Sequence, residues 1–332
     1  MTLFTCPNCH GALSHPSPTE CLCSSCDVRF PNRAGGMDLR PSATDENKNA
    51  QADIYDGMLG ELSDYRHPHN LTLLHQRRLL EALPLAQSAA VLEIGGHRSG
   101  VLPFLEHIRN IQGYGVDISS EWVAEQNRLS KIRGRGTEWV QGDAERLPFS
   151  ANSLDAVVSF DVFEHLTDMQ KAAEECFRAL KPRGTLLCHM PIQDVGGSLD
   201  GLQRRFDGDG WRSRQASVGH FHERMPTGKE ATEMFTHIGF ELTHHERFNV
   251  WFQPFHDHKW LTWLGQKRHK GKTTHERSSS HQSTLPTGKG ASRFQKAYAK
   301  VALPVARALS APDRLGVKLG IGGSASWTLR KP

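Results

Sequence analysis

The sequence predicts an α/β fold in three layers, a largely parallel sheet covered by helices on both faces, with a small metal-held module in front of it. Three observations carry this. Beyond residue 53, strand-like apolar runs alternate with stretches of helical periodicity. One such run, VLEIGG, ends in the glycine pair Gly95 and Gly96. Five of the seven cysteines fall between residues 6 and 26. A chain of 332 residues can bury a sizeable core. Its net charge of +4 permits a nucleic-acid partner without demanding one. No run approaches the roughly 18–20 apolar residues of a membrane span, and the start, MTLFTCPNCH, lacks the pattern of a signal peptide, so a cytoplasmic chain without a transmembrane segment is expected.

In chain order, the cysteines come first. Cys6 and Cys9 form one CxxC and Cys23 and Cys26 a second, so two tight turns can present four thiolates to one tetrahedral ion. In a reducing compartment zinc is favoured over disulfides, and four protein ligands leave no open position, which makes the site structural. Cys21 and His10 are rival ligands. A module this short, residues 1–40, closes no core by itself, so metal is expected to do much of its folding. Residues 41–52, PSATDENKNAQA, read as a polar linker to a domain over 53–332.

In that domain, strands are expected at AAVLEIGG, GYGVDIS, EWVQGD, LDAVVSFDV, GTLLCHM, GFELTHHERF and SASWTLRKP. Helices are expected near 99–109, 120–131 and 168–180, the last ended by LKPRG. VGGSLDGLQRRFDGDGW reads as a flexible, glycine-rich lid. Residues 266–300 carry a basic run with Ser, Thr and Gly interspersed, a solvated loop or a binder of phosphate or anionic surfaces. Trp251, Phe252, Phe255, Trp260 and Trp263 form an aromatic cluster that reads as packing or as the wall of a pocket.

In such sheets ligands lie beyond the carboxyl ends of the strands, where the first turn meets a helix. VLEIGG, QGDAERLPF, LDAVVSFDVFEHLTD, LKPRGTLL and GHFHERMPTGKEATEMFTHIGFEL, taken in order, resemble the class I S-adenosylmethionine-dependent methyltransferases of the ubiquinone-biosynthesis-like, type 11 branch. CPNCHGAL and CSSCDVRFPNRAGGMDL resemble a zinc ribbon of the Trm112 type. The resemblance implies a Rossmann-like seven-stranded sheet whose last strand is antiparallel, with residues 249–322 inserted before it. It implies Glu93, Gly95 and Gly96 at the methionine end of the cofactor, and Asp117 with Ile118 at the ribose. Asp143 and Ala144 would meet the adenine, and Asp161 would complete the set. Against the family's glycine spacing, His97 replaces the middle glycine and Gly100 falls one place late.

The cofactor's sulfonium makes its methyl group electrophilic, so the protein must hold an acceptor in line and, for a hydroxyl, take its proton. The fourth strand ends in DVFE and not in the Asn/Asp-Pro-Pro-aromatic turn of many amino-group methyltransferases. Cys176 and Cys188 read as core residues rather than nucleophiles. A hydroxyl of a small molecule, natural product or saccharide is therefore the expected acceptor, with an activated carbon as the other choice. His220 and His165 are the leading candidates for general base, with His189, Asp194 and His222 behind them. Arg204, Arg205 and Lys229 are candidates for holding an acidic substrate. An RNA methyltransferase using the ribbon and the basic run, and an inactive binding protein with an impaired glycine loop, are the alternatives.

Overall fold

The computed structural model describes residues 3–17, 19–33, 35–41, 48, 56, 63–96, 100–216, 225–260 and 293–332. Its first unit is a four-stranded antiparallel meander: β1 (Leu13–Ser17), β2 (Glu20–Cys23), β3 (Arg29–Arg33) and β4 (Gly36–Met37). Both CxxC turns close alike. The His10 amide donates to the Cys6 carbonyl at 2.7 Å and the Asp27 amide to that of Cys23 at 2.9 Å. His10 and Asp27 sit left-handed, at φ 57 and 55, a region that His and Asp visit more readily than most side chains.

The second unit opens with α1 (Leu71–Glu81), capped by the Asn70 side chain, and continues as alternating strands and helices. These are β5 (Ala89–Ile94), α2 (Val101–Ile108), β6 (Ile111–Asp117), α3 (Ser120–Ile132), β7 (Glu138–Gln141), β8 (Leu154–Phe160), α4 (Met169–Ala179) and β9 (Leu180–Pro191). After them come α5 (Leu199–Phe206), α6 (Gly208–Ala216), α7 (Gly228–Ile238), β10 (Glu241–Phe248), α8 (Arg293–Leu309), α9 (Ala311–Lys318) and β11 (Ser324–Arg330). The sheet order is β10-β11-β9-β8-β5-β6-β7. β11 runs antiparallel between β9 and β10, the topology expected from the sequence. Every residue of β5 is buried, which is why this central parallel strand reads as an unbroken apolar run.

Two local expectations differ from the structure. LKPRG is not a loop between helix and strand: β9 already begins at Leu180 and pairs with Leu154 of β8. The stretch read as a flexible lid, residues 195–211, is helical over Leu199–Phe206 and again from Gly208 onward. There the Ser198 hydroxyl accepts from Gly201 N at 3.1 Å, the Asp207 carboxylate accepts from Gly210 N at 3.0 Å, and Trp211 is buried. Two caps and one large anchor outweigh the glycines' helix-breaking tendency.

The ribbon does not stand on metal alone, as its short length suggested. The Phe4 ring lies 5.6 Å from that of Tyr114 and 5.2 Å from that of Phe149. Thr5 N donates to Pro148 O at 2.8 Å, and Leu39 N to Gln141 O at 2.7 Å at the outer edge of β7. Phe4, Cys21, Phe30 and Leu39 share one apolar cluster with Tyr114, Val140 and Phe149, so the sheet supplies the core that the ribbon lacks. Phe4→Ala should therefore cost about 3–5 kcal/mol in urea denaturation. A midpoint near that of the unsubstituted protein would contradict the shared core.

Candidate functional site

The site begins where β5 ends. Gly95 has φ +78, and a Cβ there would come within 2.2 Å of Val162 Cγ2. A Cβ on Gly96 would come within 2.4 Å of the Trp139 ring. The two glycines are thus required by the protein's own packing, before any ligand is considered. With no side chain in the way, Gly96 N donates to Asp117 Oδ2 at 2.6 Å, while Ser119 N donates to Oδ1 at 2.8 Å. Gln126 Nε2 holds the Gly96 carbonyl at 3.1 Å. Burial pushes the Asp117 carboxyl up to about 6, against these amides and with the nearby Asp56 charge adding to the rise. Glu93 is buried behind the turn, where it accepts from Leu102 N at 3.3 Å in the first turn of α2. His97 lies outside the described residues.

At the end of β7, Asp143 Oδ1 accepts from Glu145 N at 2.9 Å, and Ala144 is buried beside it. The Ile118 carbonyl takes Gln141 Nε2 at 2.9 Å, which ties the ends of β6 and β7 together. Lys48 reaches in from the stretch read as linker: its Nζ lies 2.7 Å from Asp143 Oδ2 and 2.6 Å from Glu145 Oε2. Asp56 accepts from the Ser120 hydroxyl at 3.2 Å and from Glu121 N at 3.1 Å. Glu145 also takes Thr167 N at 3.0 Å and Asp168 N at 2.9 Å, so one carboxylate couples the β7 turn to the turn after β8.

That turn carries the acid–base cluster. Asp161, left-handed at φ 56 and half exposed, places Oδ1 3.0 Å from Nδ1 of the buried His189 on β9. The Phe248 ring lies 4.4 Å from the His189 ring and stacks on His75, also at 4.4 Å. Burial lowers His75 to about 3, so it is neutral. In the 3-10 turn Phe163–His165, His165 Nε2 lies 3.9 Å from Glu164 Oε1. Burial, with the Asp161 charge added, raises Glu164 well above the usual carboxylate range. His165, Asp161 and His189 are thus brought into one neighbourhood. His220 and His222 lie outside the described residues. Asp194 is committed elsewhere, accepting from Gly228 N at 2.8 Å and pairing with Arg247. Arg204, set over the Trp211 ring at 5.6 Å, and Arg205 line a cavity of about 410 Å³ with Val195 and Leu202. Lys229 pairs with Glu233 on the surface.

The sequence offered no signal for Lys48 or Asp56, whose partners Asp143 and Ser120 are 95 and 64 positions away. Glu145 and Glu164 stand inside the motifs already quoted, GDAERLPF and DVFEH, where their neighbours drew the attention.

Cys6, Cys9, Cys23 and Cys26 converge, with all four sulfurs within 4.8 Å of one another. The Cys6–Cys26 and Cys9–Cys23 separations are 3.6 and 3.4 Å. A tetrahedral zinc with ~2.3 Å bonds sets its sulfurs roughly 3.8 Å apart, so the donor set fits that ion. Burial pushes Cys6 up to about 12. Burial also opposes ionisation of Cys23, but the amides of Cys26 and Ser25 outweigh it and bring that thiol down to about 6. Cys21 lies apart, its Sγ 3.7 Å from the Phe30 carbonyl. Cys176 and Cys188 are fully buried.

Comparison with known proteins agrees with this architecture. A family model described as a methyltransferase domain matches residues 92–188. The 2-methoxy-6-polyprenyl-1,4-benzoquinol methylase of Pongo abelii is 31% identical over 189 residues, covering 52% of this chain and 55% of its own length. The sterol 24-C-methyltransferase of Neurospora crassa is 24% identical over 180 residues, 52% of this chain and 45% of its own. The chain spans about half the length of the curated relatives it matches. Phosphoethanolamine N-methyltransferase 2 of Haemonchus contortus, determined with S-adenosyl-L-methionine, shares the fold at 15% identity and a TM-score of 0.52, over 90% of this chain and 62% of that one. Residues 92–188, which span β5 to β9 and the turns between them, thus match a methyltransferase domain.

Proposed function

We propose that this protein transfers a methyl group from S-adenosylmethionine to a hydroxyl of a small molecule, natural product or saccharide. The observation that carries the reading is the placement of two carboxylates, Asp117 and Asp143, and an Asp161–His189 pair at the carboxyl ends of neighbouring strands. In this reading residues 1–40 are a ribbon, 41–52 a link, and 53–332 the transferase domain, with 249–322 inserted. The ribose hydroxyls and the adenine amino group are hydrogen-bond donors, and Asp117 and Asp143 are acceptors at adjacent strand ends, so the chemistry of the site fits the cofactor. Ile118 and Ala144 flank those acids, and Glu93, Gly95 and Gly96 shape the turn facing the methionine end. The bound cofactor supplies an electrophilic methyl group.

The chain's own work is then to orient the acceptor and accept its proton. Asp161 is the half-exposed member of its pair, with Nδ1 of the buried His189 3.0 Å from its carboxylate, and is the group that accepts the proton in this reading. A relative that methylates a benzoquinol supports a small-molecule acceptor. Labelled cofactor incubated with metabolite and RNA fractions of an extract tests this: label in metabolites is expected, and label confined to RNA would overturn it. With an acceptor in hand, Asp161→Asn and His189→Gln should each lower kcat by about 10²-fold or more, with cofactor Kd nearly unchanged. If His220→Ala or His165→Ala alone has that effect, the base is misassigned.

The Asp117 carboxyl titrates near 6, and only its ionised form accepts two hydroxyls. Affinity for S-adenosylmethionine should therefore be constant well above that pH and weaken by up to about tenfold per unit below it. Asp56→Asn, which removes a like charge, should move the break to lower pH. Calorimetric titration across this range checks both, and a flat profile would exclude Asp117 from the binding role.

We further propose a structural zinc on Cys6, Cys9, Cys23 and Cys26. Purified protein should hold about one equivalent by elemental analysis. Cys9→Ser should lower the zinc content sharply and depress the melting temperature.

A further inference from the structure

The segment between β10 and β11 carries an unusual surface. α8 packs one stripe inward, where Leu303 and Ala306 are buried with Leu71 of α1. Its opposite stripe is bare: Val301 is 70% exposed, Val305 57% and Leu309 57%. These positions are four residues apart and share a helix face. On α9 and just past its end, Leu315 and Leu319 repeat the spacing at 59% and 66% exposure. A single residue, Ser310, joins the two helices. The hairpin is firmly seated. The buried Asp313 carboxylate accepts from the amides of Trp251, Phe252 and Gln253 at 3.3, 3.0 and 2.9 Å, and a Cβ on Gly316 would come within 2.4 Å of Val250.

Charge decides what these stripes meet. Residues 293–318 contain six Lys or Arg and one acid, Asp313, which is spent inside. Lys300, Arg307, Arg314 and Lys318 are all exposed, so among the described residues every exposed charge on the hairpin is positive. Five bare aliphatic side chains exceed the scattered single ones that a soluble surface tolerates. A nucleic acid would use the cations and leave the aliphatics in water. A second copy would cover the aliphatics but set like charges together. An anionic bilayer satisfies both sets at once, with aliphatics in the headgroup–acyl boundary and cations on lipid phosphates.

We infer that the α8–α9 hairpin seats this protein on an anionic lipid surface. β10 runs parallel to β9 and ends at Phe248, so the hairpin, anchored at Val250 and Trp251, stands at the carboxyl edge of the sheet, the edge that carries Asp117 and Asp161. The inference does not rest on methyl transfer, since binding is read without cofactor or turnover.

The test is co-sedimentation of the full chain with sucrose-loaded vesicles of phosphatidylcholine alone or of roughly 7:3 phosphatidylcholine and phosphatidylglycerol. Binding to the mixed vesicles should be at least about tenfold tighter. The double variant Leu309→Glu/Leu315→Glu should lose about tenfold or more of it. Arg314→Glu/Lys318→Glu should do likewise, and this second variant decides the matter should the first fail to fold by circular dichroism. Unchanged binding by folded variants overturns the inference. So does failure to bind vesicles together with retardation by transfer RNA, or with a dimer in sedimentation velocity that Leu309→Glu/Leu315→Glu dissociates.

Discussion

The turn after β5 is the constraint on which the rest of the site depends. Gly95 must be left-handed beneath Val162, and Gly96 must lie flat against Trp139, because neither position has room for a Cβ. That close passage aims the Gly96 amide at Asp117. The buried acid then organises the end of β6 through Ser119, whose hydroxyl caps α3 by accepting from Trp122 N. Trp139 is also the side chain that fills the space above Gly115, so one indole on β7 fixes the spacing of three strands. A larger residue at either glycine would open the sheet at its carboxyl edge before it touched any ligand.

The ribbon enlarges this framework instead of hanging from it. Asp38 extends parallel pairing to Gln141, and Phe4 closes the apolar layer beneath Tyr114 and Phe149. An exposed edge at β7 would offer unpaired amides to other chains, and the ribbon covers part of it. Four sulfurs within bonding reach of one ion and an aromatic wedge therefore hold the same unit from two sides. The short chain length of residues 1–40 had pointed only to the first.

Much of the fold could be read from residues because parallel strands buried on both faces leave unbroken apolar runs: AAVLEI, LDAVVSF and TLLCHM all became strands. Asp117 was legible as the acid that ends a strand, whereas Asp143 was legible through the resemblance that QGDAERLPF carries. Lys48 and Asp56 were not, since they lie in a polar stretch without periodicity and act on partners far along the chain. The helices α5 and α6 were hidden by their glycines, because the decisive facts are two side-chain caps and the burial of Trp211. The pairing of Asp161 with His189 joins different strands, a relation that spacing within a motif does not express.

Lys48 gives the strand ends a particular electrical character. Asp143 and Glu145 alone would form a two-acid well able to draw in any small cation. With the ammonium seated at 2.7 and 2.6 Å, the three groups carry one net negative charge, and that well is largely filled from within. The ammonium has three protons to give and the amides of Glu145, Thr167 and Asp168 add three more, whereas two carboxylates offer about eight acceptor sites. Capacity to accept therefore remains after attraction for positive charge has been blunted. The rim thus presents hydrogen-bond acceptors more than it presents negative charge.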